Sequence, residues 1–79
     1  MEIKRKYIIK CSISGDEIEE TDNLTEAKRL IQQYLIDDYN EFLQEQEEKG
    51  GKFITYWQWY YTKGEEGINN GDFYEYEIS

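Results

Sequence analysis

One stretch constrains this chain more than any other. Phe53 to Tyr61, Phe-Ile-Thr-Tyr-Trp-Gln-Trp-Tyr-Tyr, gathers six of the thirteen aromatic residues and both tryptophans. Side chains of that size dominate the energetics of whatever core they join, so the rest of the fold must cover them. The aromatic and β-branched content predicts a strand. At period two, Phe53, Thr55, Trp57, Trp59 and Tyr61 share one face, and Ile54, Tyr56, Gln58 and Tyr60 the other. The first carries the larger apolar payload and is expected to face the core.

With 79 residues, there is room for a single domain, 1–79, built around one small core. Pro and His are absent, and Cys11 is alone, so an intrachain disulfide framework is excluded. Nothing approaches the ~20 apolar residues of a membrane span. The basic start, Met1 to Lys6, is not followed by an apolar run of signal-peptide length, and a cytoplasmic protein is expected.

Taken in order, Ile3 to Ile13 reads as a strand, with Ile3, Arg5, Tyr7, Ile9, Cys11 and Ile13 inward and Lys4, Lys6, Ile8, Lys10 and Ser12 outward. Ser14-Gly15-Asp16 is a turn, Gly15 supplying a positive φ. Glu17 to Thr21 returns as a short, acidic edge strand. Asn23, three residues before Glu26, caps a helix running from Leu24 to Lys49, and Gly50 ends it. Its apolar stripe is Ala27, Ile31, Tyr34, Leu35 and Phe42. Asp38 falls inside that stripe while Ile36 and Leu43 fall outside it, as a bend near Asp37-Asp38 or an overhang beyond the sheet would produce. The aromatic strand follows, then a polar loop whose Asn70-Gly71 signals a hairpin turn, then a last strand from Asp72 to Ile78. Tyr74, Tyr76 and Ile78 point inward; Phe73, Glu75 and Glu77 point outward.

The elements sum to an α+β fold of two layers, a four-stranded sheet in the order ββαββ packed on one long helix. That order is similar to the β-grasp domains of the protein G type, in which the first and last strands are central neighbours. The resemblance implies that Lys4, Lys6 and Lys10 face Glu75 and Glu77 on the open side of the sheet.

Catalytic and metal chemistry find little purchase. The commonest general base and zinc ligand, His, is missing, and Cys11 lies on the core face as a small hydrophobe. Gly64, Gly67 and Gly71 do not have phosphate-loop spacing. The oxygen-rich loop of Glu65, Glu66, Asn69, Asn70 and Asp72 lacks the spacing of an EF-hand. No enzymatic activity, metal or cofactor is expected.

Charge is the strongest compositional signal, with 18 acids against nine bases and a net charge of −9. It opposes nucleic acid and anionic membranes and favours basic surfaces. The acids are concentrated. Glu17, Glu19 and Glu20 lead into the helix, and Glu26, Asp37, Glu41, Glu45 and Glu48 fall within ~100° of one another on it, with Asp38 adjacent. A solvated helix face is the plain reading. A row of carboxylates on a rigid helix also imitates a row of phosphates, and would suit an Arg- and Lys-lined groove. A second surface, Ile54, Tyr56, Tyr60 and Phe73 on the other sheet face, offers an alternative as a dimer or accessory-protein interface.

In size, acidity, aromatic content and lack of a catalytic motif, the chain resembles small phage-encoded inhibitor proteins, the DNA-mimicking anti-restriction and anti-CRISPR class. The resemblance implies a stoichiometric inhibitor with no chemistry of its own. It would engage the basic site of a nucleic-acid-processing defence enzyme, in the host cytoplasm if phage-encoded.

Overall fold

The structure, a computed structural model, describes residues 5–78. Its secondary structure comprises β1 (Tyr7–Cys11), β2 (Glu17–Thr21), α1 (Leu24–Lys49), α2 (Tyr56–Tyr60), a single 3-10 turn (Asn70–Asp72) and β3 (Tyr74–Ile78). The fold is α+β, but the sheet has three antiparallel-paired strands in the order β2-β1-β3. The expected fourth strand does not exist: Tyr56–Tyr60 form α2, and the four-stranded ββαββ order falls with it, while the expected adjacency of the first and last strands holds, β1 lying beside β3. Because β1 is antiparallel to both neighbours, β2 and β3 run parallel to each other on either side of it.

Local chemistry explains why the aromatic segment is helical. Thr55 Oγ1 accepts from the Gln58 N–H at 3.2 Å, and the Gln58 side chain accepts from the Thr55 N–H at 2.9 Å. This reciprocal capping box satisfies two donors at the helix start. At helical spacing Trp59 turns inward, 7% exposed, while Trp57 and Tyr61 stack outward at 61% and 65% exposure.

The termini of α1 follow the sequence. The Glu26 N–H donates to Asn23 Oδ1 at 3.2 Å, and Gly50 takes the left-handed conformation with its N–H returned to the last carbonyls. The helix is uninterrupted across Asp37-Asp38, and it overhangs the sheet. Twenty-six residues span roughly 39 Å, whereas a five-residue strand spans about 17 Å. The molecule is accordingly elongated, 57 × 21 × 17 Å.

The first half of α1 lies on the sheet, with Ile9 and Ala27 fully buried and Leu35 nearly so. Its second half is covered by the chain from Ile54 to Tyr60. Tyr39 donates its hydroxyl to the Ile54 carbonyl at 2.6 Å. Its ring meets Tyr56 edge-on at 5.5 Å and Trp59 at 5.7 Å. Asn70 then locks α2 from behind, its Nδ2 donating to the Trp59 carbonyl at 2.9 Å. Gly71 has no positive φ, contrary to a hairpin turn. A Cβ there would sit 2.2 Å from the Tyr60 ring, so the glycine serves close approach.

On the sheet's open face, Lys10 pairs with Glu77 at 2.7 Å, and Lys6 turns to Glu20 at 3.6 Å rather than to β3. Lys4 and Ile3 lie outside the described residues. Ile13 is exposed in the β1–β2 turn, and Cys11 is half-buried rather than a core residue.

Trp59→Ala is expected to cost about 3–5 kcal/mol, most of the stability of a domain this small. Trp57→Ala should cost under ~1 kcal/mol. Urea unfolding of the two variants checks this contrast, and equal losses would contradict the placement of Trp59.

Candidate partner-binding surfaces

The acidic residues named from the sequence divide into two groups by what holds them. Towards the start of α1 they are compensated. Both Glu26 oxygens accept from the Arg29 guanidinium, Nε at 3.1 Å, and this partner holds the Glu26 carboxyl below its ordinary range. Glu19 points towards the helix and accepts the Tyr34 hydroxyl; that bond, with burial, pushes the phenol up. Glu20 carries Lys6, and Glu17 stands opposite Lys10 on the open sheet face.

Beyond Arg29 the helix has no cation until Lys49. Between Leu30 and Glu48 it carries six acids and no Lys or Arg. Asp37, Glu41, Glu45 and Glu48 are exposed. Among the described residues none of these four forms an ion pair; Asp37 has only an amide donor, Gln33 Nε2 at 3.1 Å. From Asp37 to Glu48 they make a ridge of about 16 Å at 1.5 Å per residue. Asp38 is set apart. It is half-buried and accepts the Tyr74 hydroxyl at 2.7 Å, which explains a carboxylate inside the apolar stripe. Burial first, and the neighbouring Asp38 carboxylate second, push the Tyr74 phenol far above its ordinary value.

Beside the ridge lies a shallow groove of about 400 Å³, where Asp38, Glu41 and Glu45 meet Phe42, Trp59, Asn70, Phe73 and Tyr74. The groove could not be foreseen, since it needs α2 and the 3-10 turn beneath the overhanging helix. Carboxylates beside aromatic edges suit a guanidinium or ammonium group, which gains from both.

The proposed aromatic dimer face is rearranged. Ile54, Tyr56 and Tyr60 are half-buried around α2, and Phe73 lies across the acidic groove, so the four share no sheet face. The exposed aromatics are instead Phe53, Trp57, Tyr61 and Tyr76.

Among the described residues, no group of three or more acidic or Cys side chains converges as metal ligands, and no helix is long and apolar enough to cross a membrane. Searches against protein families, curated proteins and solved structures find no match to this chain.

The Tyr34 and Tyr74 phenols give a pH signature. Both pKa values are raised above the ordinary phenol value of about 10, so above about pH 10 the folded chain holds protons that the unfolded chain has lost. Stability from these bonds is complete below the unfolded pKa and falls as pH rises. Urea unfolding between about pH 8 and pH 11 should show this decline, and Tyr74→Phe should flatten it while costing ~1–3 kcal/mol at neutral pH. An unchanged slope in the variant would remove Tyr74 as its source.

Proposed function

We propose that the protein is a non-enzymatic binding protein, an inhibitor that presents the carboxylate ridge of α1 to a basic, nucleic-acid-holding site on a processing or defence enzyme. The single observation that carries this reading is the uncompensated run on a regular helix: Asp37, Glu41, Glu45 and Glu48 exposed along one flank, with no Lys or Arg from Leu30 to Glu48. Like charges at three- and four-residue spacings cost an isolated helix a few tenths of a kcal/mol per pair. Retaining them is intelligible if a cationic surface neutralises them on binding.

The ridge's charges stand ~4.5–6 Å apart along a firm axis. That is comparable with the phosphate spacing a basic groove is built to meet. Long-range attraction from a net charge of −9 would speed encounter and disfavour acidic partners. Asp38 lies beside the ridge, Glu19 bonds Tyr34, and Glu17 and Glu20 lie on the open face of the sheet, so these four are secondary to it. The site of action on this reading is the cytoplasm, where such enzymes work.

Affinity capture from a bacterial lysate tests this directly. The captured proteins should bind nucleic acid when free and lose it stoichiometrically when the inhibitor is added. Capture should fall away at ~1 M salt, where the Debye length is ~3 Å. Glu41→Lys with Glu45→Lys should weaken it by at least about tenfold while leaving the fold intact. Capture indifferent to both salt and the double reversal would contradict the reading.

A further inference from the structure

The two outer edges of the sheet differ. The β2 edge is irregular, with a register shift between Ile9 and Lys10 and a bristle of Glu17, Glu19 and Glu20, devices that discourage further pairing. The β3 edge is regular, its five residues in continuous register with β1. Just beyond the strands, the Ser12 N–H donates to the Phe73 carbonyl at 2.8 Å. Hydrogen-bonded pairs alternate along an antiparallel ladder, so Lys10–Glu75 and Ile8–Glu77 are the bonded pairs within it. The main-chain groups of Tyr74, Tyr76 and Ile78 therefore point away from β1. Among the described residues, no strand lies on that side.

Alongside this edge, between α1, α2 and β3, is a groove of about 420 Å³ lined by the apolar and aromatic Ile31, Leu35, Trp57, Tyr60, Tyr74 and Tyr76 and by the polar Lys28, Gln32, Asp72 and Glu75. Trp57 and Tyr76 are exposed. The opposite face of the edge carries Glu75 and Glu77, both exposed. A strand added outside β3 would alternate its side chains between these two environments, one largely aromatic and aliphatic and one anionic.

We propose that the outer edge of β3 is a docking site for an extended segment of a partner protein in which apolar and basic residues alternate, bound as a fourth strand. Charge complementarity selects this occupant. A second copy of the chain, paired antiparallel about Tyr76, would set Glu75 against Glu77 of the other copy twice, and like charges directly opposite are destabilising. The inner neighbour of β3 already has the favoured pattern: Ile9 is fully buried on one face, and Lys10 reaches Glu77 at 2.7 Å on the other. The groove lies on the flank of α1 occupied by Lys28 and Gln32, away from the ridge of Asp37, Glu41 and Glu48. The proposal therefore stands independently of the inhibitor reading.

The test is an NMR titration of the intact protein with a short, end-blocked peptide of alternating valine and lysine. Two further probes replace lysine by glutamate, or carry N-methyl groups at alternate residues in either frame. Saturable shifts are expected at the Tyr74, Tyr76 and Ile78 amides and the Trp57 indole. N-methylation in one frame, but not the other, should weaken binding by at least about tenfold, and the glutamate peptide should not bind. Glu75→Lys with Glu77→Lys, checked for folding by circular dichroism, should weaken the lysine peptide comparably. Shifts confined to Asp37 through Glu48 would overturn the proposal, as mere charge capture. So would equal binding of the peptides methylated in either frame, or a peptide-free dimer with Tyr76 protected.

Discussion

The overhang of α1 sets the problem that the rest of this molecule solves. A helix of 26 residues runs far past a sheet whose strands are five residues long, and short helices without tertiary packing are marginal in water. The clasp of Tyr39, Tyr56 and Trp59 supplies that packing where the sheet cannot. Its parts are interdependent. The Thr55–Gln58 capping box turns the chain into α2, α2 directs Trp59 inward, Tyr39 meets it and bonds Ile54, and Asn70 fastens the Trp59 carbonyl.

A second core thus forms at the far end of a small fold. Only Ile9, Ala27, Leu35 and Trp59 are buried hydrophobic residues among those described, and they are spread along the helix instead of gathered at one point. Such a core tolerates little loss. Its clasp packs against the regular helix on which the repelling carboxylates stand in a row, and the β3 edge runs in continuous register beside the second groove. The same economy of cover produces both candidate surfaces, the anionic ridge on one flank and the open β3 edge near the other.

Much of this was legible in the residues. The bounds of β2 and α1, with Asn23 and Gly50 as caps, follow from local chemistry that tertiary contacts do not override. Simple alternation sets Tyr7, Ile9 and Cys11 across from Ile78, Tyr76 and Tyr74, but only Ile9 of these is fully buried, and Tyr76 and Ile78 stay exposed. Helical geometry alone puts Glu26, Asp37, Glu41, Glu45 and Glu48 on one side of α1. The segment Phe53–Tyr61 was misread because its aromatics satisfy a strand pattern and a helix pattern equally well at so short a length. The deciding signal was present: Thr55 followed three residues later by Gln58 is a capping box, and composition obscured it. Gly71 was misread for a different reason. Asn-Gly advertises a turn, whereas the close approach of the Tyr60 ring is a tertiary fact that no local pattern carries. The same holds for Asp38, whose place in the apolar stripe makes sense only once the Tyr74 hydroxyl is opposite it.

Amide hydrogen exchange along α1 tests the central claim most directly, that the clasp holds the acidic half of the helix in one rigid form. Amides from Tyr39 to Gln46 should exchange as slowly as those from Leu30 to Leu35, and Trp59→Ala should release the distal group first. Distal amides exchanging near the unfolded rate in the unaltered protein would mean the ridge is frayed, and the account built on it would be wrong.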